Sequence, residues 1–249
     1  EWIDQWHGLL ERYKLTPVCY LNWLDTRMHA GRDLDLETAV KIFDRDLELA
    51  HRLGFKLMKP KFGVVSRDLT PHPMWRQIVE RCLQTASDYD VRIAPEIHAP
   101  TRLNSEVVDA YLSLIADTGT KHFGLLIDTG IFQRGTRPSD HSDSIYRFGP
   151  SDPESVKRSA AEMRAPLAEA PSDLAAIIDH VVYIHAKFWE MTDSFVDPQI
   201  PYDEIVETLV KSGYRGWICS EYEGNREPGV GSEQVRRQQL MLRRLLAGA

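Results

Sequence analysis

The stretch Val181-Val182-Tyr183-Ile184-His185-Ala186-Lys187-Phe188 decides how this chain is interpreted. Its apolar and β-branched residues predict a short strand that is buried on both faces. The run ends in an imidazole and an ammonium group, where a buried strand would ordinarily end in turn residues. Because side chains alternate across a strand, His185 and Lys187 share one face. The stretch therefore indicates a core strand whose C-terminal end has two polar side chains on the same face.

Four other apolar segments end in charged side chains in the same way: 56–61, 91–98, 123–128 and 217–221. Because side chains alternate across a strand, Glu96 and His98 share one face of their strand, and Glu221 and Glu223 share one face of theirs. If each strand points these residues inward at its C-terminal end, four metal-binding groups converge. They are Glu96, Asp128, His185 and Glu221.

Composition limits the class of protein. The chain has 249 residues, of which 43% are hydrophobic and 27% charged, which predicts a single globular domain over residues 1–249. A net charge of −7 argues against nucleic-acid binding. No apolar run is long enough to predict a membrane span. Three cysteines without a Cys-x-x-Cys pair favour a reducing compartment, and we expect the cytoplasm. The chain begins at Glu1 with neither a methionine nor a signal-peptide pattern, so we expect it to start inside a longer protein.

Helical and strand patterns alternate along the chain with short links. Apolar spacing predicts helices over 2–13, 36–53, 71–89, 104–115, 172–178, 201–212 and 232–246. Strand patterns occur over 15–23, 57–62, 91–98, 123–128, 181–188 and 217–221. This alternation predicts parallel strands joined by crossover helices. We predict an α/β fold, a TIM (β/α)8 barrel in which roughly two N-terminal βα units are missing from the chain as given. An open α/β sheet is the alternative, although no glycine-rich phosphate loop is present.

Residues 130–172 interrupt the alternation. Glycine, proline, serine, aspartate and arginine dominate the first part, and a helix is predicted over 153–169. Connections of this length within a barrel are usually functional, so we interpret 130–172 as a long insertion that serves as a lid or a partner surface. Residues 24–35 are polar and are predicted to form a loop.

The strand ends resemble those of the xylose isomerase-like TIM-barrel superfamily. The similar motifs are Ala94-Pro95-Glu96-Ile97-His98, Leu126-Ile127-Asp128-Thr129-Gly130, Tyr183–Phe188 and Ser220-Glu221-Tyr222-Glu223-Gly224. The resemblance covers most of the chain and implies a sugar isomerase or epimerase in which the Glu, Asp, His and Glu of these motifs hold a divalent cation.

Two positions depart from the simple ketose epimerases of that family. Ile131 stands where those enzymes often have a histidine, and the segment Lys187-Phe188-Trp189-Glu190-Met191 lacks their arginine. His-Ala-Lys-Phe, Ser-Glu-Tyr-Glu-Gly and the long insertion also resemble the α subunits of bacterial C-glycoside deglycosidases. That resemblance implies carbon–carbon lyase chemistry on 3-oxo-glycosides together with a smaller β subunit.

The predicted site consists of three carboxylates and one imidazole. Such an oxygen-rich site favours Mn²⁺ or Mg²⁺, with Co²⁺ as an alternative. A cation there stabilises negative charge on a sugar oxygen while a proton leaves the carbon next to the carbonyl. Glu96 and Glu221 are the candidate bases, and His98 is the alternative. Lys187 and Glu223 are predicted to orient substrate hydroxyls. Epimerisation, isomerisation and elimination all remain open.

Each site residue has a structural alternative. Asp128 can cap the turn after its strand, and His185 can be a core histidine. Glu221 can pair with Arg215 or Arg226, and Glu96 with Arg92 or Lys61.

The expected partners are a small-molecule sugar or glycoside, copies of the same chain in an oligomer, and the β subunit that the second resemblance implies. No nucleic acid and no membrane is expected. Two other functions are alternatives. A phosphodiester hydrolase of the same barrel type is disfavoured by the net charge. The other is a barrel that has lost its chemistry and serves as a subunit.

Overall fold

The computed structural model describes residues 1–24, 34–63, 69–135, 166–224 and 227–248. Contacts divide the chain into two compact units. Unit 1 comprises Glu1–Glu96 and Glu106–Leu126, and unit 2 comprises Ile97–Ser105 and Ile127–Ala249. The single domain over residues 1–249 therefore stays a prediction. Most of the predicted loop 24–35 and of the insertion 130–172 lies outside the described residues.

Unit 1 alternates helices with parallel strands, as the sequence predicts. Its elements in chain order are α1 (Trp2–Tyr13), β1 (Cys19–Trp23), α2 (Leu36–Arg52), β2 (Leu57–Lys61), α3 (Trp75–Asp88), β3 (Arg92–Ile93) and α4 (Glu106–Thr118). The first three strands form a parallel sheet in the order β1-β2-β3. Two short strands, β4 (Glu96–Ile97) and β5 (Leu125–Asp128), follow β3 and α4 respectively.

Local sequence signals fix where α2 begins and ends. Asp35 caps its N-terminus, where the Oδ1 atom accepts a hydrogen bond of 2.9 Å from the Thr38 backbone N–H. Gly54 lies just beyond the helix with a φ of 84°, a conformation that glycine adopts without steric cost. The face between these ends buries Phe43, Leu47 and Ala50 completely. Their helical spacing in the sequence is the reason that α2 was predictable.

The two faces of the β1–β2 ladder have different surroundings. On one face, the Asn22 side chain hydrogen-bonds to Asp46 of α2, and the Tyr20 ring lies 5.9 Å from the Phe55 ring. On the other face, β1 and β2 pair Leu21 with Lys59 and Trp23 with Lys61. The first face is therefore the one that packs on a helix, and the second presents long polar and aromatic side chains.

Unit 2 is built around the apolar stretch that ends in His185-Ala186-Lys187-Phe188. It forms β6 (Val181–Phe188), which pairs in parallel with β7 (Trp217–Tyr222). The second sheet has the order β4-β5-β6-β7. Two helices complete the unit, α5 (Tyr202–Lys211) and α6 (Val230–Gly248). Ile184 and Ala186 are at most 1% exposed, which confirms the prediction of a core strand.

Three predicted elements differ from the structure. Residues 91–98 form two strands because Pro95 has no N–H to donate to the ladder, although its carbonyl still accepts from Leu126 N at 3.0 Å. The predicted helix over 172–178 consists of 3₁₀ turns at Pro171–Ala176 and Ile178–His180, whose bonds span three residues. Residues 166–170 are not helical, so the helix predicted over 153–169 does not reach its predicted end.

Within the described part of the chain, no helix is both long enough and apolar enough to span a bilayer.

Candidate active site

The candidate site of unit 2 centres on the Lys187 ammonium, near the C-terminal end of β6. Its Nζ atom lies 2.6 Å from Asp128 Oδ2, 3.4 Å from Glu223 Oε1 and 3.5 Å from Glu221 Oε2. The Lys187 side chain is 12% exposed and that of Asp128 is 1% exposed. Three strand ends and one buried cation therefore meet in this cluster, as strand parity predicted for Lys187, Glu221 and Glu223.

Two opposing effects set the protonation state of Lys187. Burial by itself favours the neutral amine, while the negative charges of Asp128, Glu221 and Glu223 favour the ammonium. The charges outweigh the burial, so the pKa of Lys187 lies above its ordinary value. Lys187 is consequently a permanent positive charge and a hydrogen-bond donor at neutral pH, and it cannot act there as a base.

His185 lies on the same face of β6 as Lys187, two residues earlier in the strand. Its Nδ1 atom lies 3.5 Å from Glu221 Oε2, and its ring meets that of Tyr183 edge-on at 5.3 Å. The side chain is 9% exposed. An imidazole nitrogen and a carboxylate oxygen at this distance can serve one cation as ligands. The structure brings these two predicted ligands together, while their role as ligands stays a prediction.

Asp128, the last residue of β5, uses its two oxygens differently. Oδ1 accepts a hydrogen bond of 2.7 Å from Gly130 N, which caps the following 3₁₀ turn Thr129–Phe132. Oδ2 forms the ion pair with Lys187. A Cβ atom at position 130 would lie 3.0 Å from Asp128 Oδ1 and 3.2 Å from Lys187 Cδ, so glycine keeps this corner compact. The capping alternative is thus confirmed, and metal ligation by Asp128 stays a prediction.

A buried polar network behind β6 holds the backbone of Lys187. Tyr202 donates its hydroxyl hydrogen to the Lys187 carbonyl at 2.7 Å, and Lys187 N donates to Thr129 Oγ1 at 2.9 Å. Gln238 of α6 donates to the Ala186 carbonyl at 3.0 Å and to the Tyr202 oxygen at 3.1 Å. Thr129 Oγ1 also lies 2.9 Å from that oxygen.

Thr129, Tyr202 and Gln238 were not singled out from the sequence. Each is an ordinary polar residue within an element, and its partners lie 15 to 73 positions away along the chain. No local pattern marks such residues.

The other predicted site residues lie at β4. Glu96 is in unit 1, where its Oε2 accepts from Lys59 Nζ at 2.7 Å, and its side chain is 8% exposed. The sequence offered Arg92 or Lys61 as its ion-pair partner, and the structure pairs it with Lys59.

His98, in unit 2, places Nδ1 2.8 Å from the Ala99 carbonyl. A carbonyl only accepts, so Nδ1 carries a hydrogen, and the neutral ring keeps its lone pair on Nε2. This tautomer is the one that a general base at Nε2 requires.

The charge balance at the β6 end tests whether a divalent cation fits. One ammonium faces three carboxylates, which leaves these four groups with a formal charge of −2. Charges that are removed from water without compensation are costly. A divalent cation beside His185 and Glu221 would balance the charge, and oxygen and imidazole donors suit Mg²⁺ or Mn²⁺. The residues present therefore fit such a cation.

The fold and the site define a class: an α/β protein of parallel strands with polar groups gathered where β5, β6 and β7 end. The family model described as "Xylose isomerase-like TIM barrel" matches residues 1–245, and the chain belongs to this family. The expected barrel fold is thereby confirmed.

Two named enzymes and a barrel protein solved with magnesium are among the known proteins similar to this chain. A C-glycoside deglycosidase α subunit from Arthrobacter globiformis is 24% identical over the whole chain and 78% of its own length. A 3-keto-D-glucoside 4-epimerase from E. coli has a TM-score of 0.62 at 14% identity, covering 97% of this chain and 84% of the neighbour. A xylose isomerase-like protein from Mycobacterium smegmatis, solved in complex with magnesium, has a TM-score of 0.55 at 17% identity, covering 98% and 78%. These structural likenesses establish the fold.

Proposed function

We propose that this protein is a divalent-metal-dependent enzyme that removes a proton from the carbon next to the carbonyl of a sugar. The main support is the cluster at the β6 end, where a permanent ammonium faces three carboxylates next to a histidine. Membership of a family that includes sugar epimerases is consistent with it.

The proposed metal ligands are Glu96, Asp128, His185 and Glu221, and the proposed cation is Mn²⁺ or Mg²⁺, with Co²⁺ as an alternative. When bound, the cation would supply Lewis-acid stabilisation for the negative charge that develops on a carbonyl oxygen. The donor chemistry and the charge of −2 at the β6 end support this set.

Each side chain of the cluster then has its own proposed role in the reaction. Glu221 or Glu96 takes the proton as a carboxylate base, and His98 Nε2 is the alternative acceptor. Lys187 donates a hydrogen bond to a substrate oxygen, because its raised pKa keeps it charged. Glu223 accepts from a substrate hydroxyl. The Tyr202–Thr129–Gln238 network keeps the β6 backbone in place while the proton moves.

Metal content tests the ligand set. Glu221→Gln and His185→Ala should each lower the bound metal, measured by elemental analysis after gel filtration, from about one equivalent to a small fraction of it. Glu207→Gln is the matched control, since this exposed glutamate pairs with Lys211 on α5. Unchanged metal content in both site variants would show that the assignment is wrong.

Solvent exchange tests the chemistry. In D₂O the metal-loaded protein should introduce deuterium next to the carbonyl of a keto sugar, and NMR would detect it. Glu96→Gln, Glu221→Gln and His98→Gln are compared at a metal concentration high enough to fill even a weakened site, and the base is the residue whose variant loses exchange with metal bound. Absence of exchange with every keto sugar and 3-oxo-glycoside tried would refute proton abstraction.

The second candidate is the α subunit of a C-glycoside deglycosidase, favoured by the name of the Arthrobacter relative. In a 3-oxo-glycoside the base would take the C2 proton and the C2 electrons would form a C1–C2 double bond. The bond from C1 to the aglycone carbon would break, and that carbon would leave with the electron pair and gain a proton. Such an enzyme would act with a smaller β subunit. Co-purification of that subunit from the native host, together with release of the free aglycone, would distinguish it from an epimerase.

We also propose a reducing compartment, the cytoplasm, because the three cysteines are odd in number and contain no Cys-x-x-Cys pair.

A further inference from the structure

Both carboxylate oxygens of Asp128, a proposed metal ligand, are already engaged within the protein. Oδ1 accepts a hydrogen bond of 2.7 Å from Gly130 N, and Oδ2 lies 2.6 Å from Lys187 Nζ. The Asp128 side chain is 1% exposed, so neither oxygen faces open solvent. A cation that binds Asp128 must therefore share an oxygen with Gly130 N or with the Lys187 ammonium.

Of these two contacts, the one with Lys187 is the more easily given up. Gly130 N is a backbone group in a compact corner, since a Cβ atom there would lie 3.0 Å from Asp128 Oδ1. Lys187 Nζ stands at the end of a flexible four-carbon chain. It also has an anionic neighbour outside the proposed ligand set, Glu223, whose Oε1 lies 3.4 Å away. Oδ2 is therefore the oxygen whose partner can change.

An ammonium and a divalent cation on the same oxygen would repel each other strongly. With Lys187 Nζ 2.6 Å from Asp128 Oδ2 and a Mg²⁺–oxygen distance of about 2.1 Å, the two positive charges would be at most about 4.7 Å apart. The Lys187 side chain is 12% exposed, so little water screens this repulsion. The structure therefore favours one cation at a time on Oδ2.

Glu223 offers the ammonium a second position. The backbone of Glu223 is fixed beside β6, because its N–H donates to the Phe188 carbonyl at 2.9 Å. Its side chain is 33% exposed, compared with 1% for Asp128. An ammonium that moves from Asp128 to Glu223 consequently keeps a negative neighbour and comes closer to solvent, from which a substrate arrives.

We propose that Lys187 is a displaceable internal cation: its ammonium and the divalent metal ion compete for Asp128 Oδ2, and the ammonium moves to Glu223 when the metal binds. The proposal rests on the proposed function, because it takes Asp128 as a metal ligand and Lys187 as a donor to the substrate. It adds an order of events, in which Lys187 becomes available to a substrate oxygen only in a protein that already holds its metal.

Calorimetric titration with Mn²⁺ at a fixed pH of 7 measures the competition. Lys187→Met removes the competing charge and should lower the Kd for Mn²⁺ by about 10- to 100-fold, because binding no longer depends on a minor population with Asp128 released. Lys187→Arg keeps the charge and should stay close to the wild type. Lys211→Met is the matched control, since Lys211 forms an exposed pair with Glu207 on α5, and it should not change the Kd.

Loss of a nearby positive charge would also tighten metal binding from a distance, and the Asp128→Asn background separates the two causes. Competition for Oδ2 requires the Asp128 carboxylate, so in that background Lys187→Met should change the Kd less than about two-fold. Repulsion at a distance does not require the carboxylate and would give the full effect in both backgrounds. A Kd that falls equally in both backgrounds, or falls in neither, would overturn the proposal.

Crystal structures of the wild type with and without Mn²⁺ measure the displacement without any substitution. With the metal bound to Asp128, Lys187 Nζ should lie more than about 4 Å from Oδ2, beyond the range of an ion pair, and within that range of Glu223 Oε1. This measurement stands even if Lys187→Met does not fold. An ammonium that stays on Asp128 beside the bound metal, or a metal bound without Asp128, would contradict the proposal.

Deuterium uptake into a keto sugar distinguishes failure of this proposal from failure of the proposed function. Normal metal content and normal uptake, with no effect of Lys187→Met on the Kd, reject the competition alone. A fall in the Kd that depends on Asp128, in a protein that catalyses no exchange, supports the competition and rejects the proton abstraction. Absence of Mn²⁺ binding by both the wild type and Lys187→Met rejects both proposals.

Discussion

The ends of β2 and β6 present similar patterns in different electrostatic surroundings. Each strand puts two polar side chains on one face, Lys59 and Lys61 on β2 and His185 and Lys187 on β6. Lys187 is surrounded by three carboxylates, whereas Lys59 has one and Lys61 lies beside an indole.

The difference shows that neighbouring elements decide what a strand-end lysine does. At β6, the carboxylates from β5 and β7 leave an excess of negative charge that suits a cation. At β2, Lys59 pairs with Glu96, and Lys61 lies beside the Trp23 indole. The spacing of the two polar residues is the same in both strands, whereas the side chains around them differ.

Removing the ammonium group of Lys187 or of Lys59 should give the largest difference in stability between the two strand ends. We expect Lys187→Met to lower the free energy of unfolding of the metal-free protein by about 3–5 kcal/mol, because the buried carboxylate of Asp128 then loses its counter-charge beside the half-buried carboxylates of Glu221 and Glu223. Lys59→Met should cost less, since the single remaining carboxylate of Glu96 can be neutralised by one proton. Urea denaturation at pH 7 measures both.

The exposed Lys211, paired with Glu207, provides the baseline, and Lys211→Met should have little effect. If Lys187→Met costs no more than Lys59→Met, the two strand ends are electrostatically equivalent and the contrast fails.

A buried carboxyl group in the loop after β6 makes the stability of the folded protein depend on pH. Burial raises the pKa of Asp197 from 3.8 to about 6, even though Gln199 N and Ile200 N donate to its Oδ1. The native state then holds this proton between pH 3.8 and about 6, where the unfolded chain has lost it. Stability from this group is complete below 3.8 and falls as the pH rises to about 6.

Asp197→Asn keeps the oxygen that accepts both N–H groups and removes the ionisation. Above pH 6 the variant should be more stable than the wild type by about 3 kcal/mol, and near pH 4 the two should be equal. Denaturation at both pH values measures the difference, with Asp193→Asn, whose side chain is 96% exposed, as the control. A gain that is the same at both pH values would contradict this origin.

The network behind β6 should give the smallest of these effects. Tyr202→Phe removes the hydroxyl that donates to the Lys187 carbonyl, and the loss of unfolding free energy should be about 2 kcal/mol. Amide exchange measured by mass spectrometry should accelerate in the C-terminal half of β6.

Tyr214→Phe tests the same chemical change at a more exposed site, where the hydroxyl donates to the Trp217 carbonyl at the start of β7. It should cost less and leave exchange in β6 unchanged. Equal effects of the two substitutions would mean that the network does not hold the end of β6.

Most of the fold was predictable because periodicity is a local property. The helices α1 and α2 and the strand β6 have the bounds that their apolar patterns indicated, to within one residue. The elements that were predicted incorrectly also differ for local reasons. Pro95 split one predicted strand into β3 and β4, and the segment after Pro171 formed 3₁₀ turns instead of an α-helix.

The sequence by itself determined which residues share a strand face. It therefore predicted that His185, Lys187, Glu221 and Glu223 would be presented together, because side-chain alternation follows from backbone geometry. It could not determine the partner of each charge. Asp128 binds Lys187, Lys59 binds Glu96, and Tyr202 holds the end of β6. Those pairings join residues distant in the chain, so only the tertiary packing decides them.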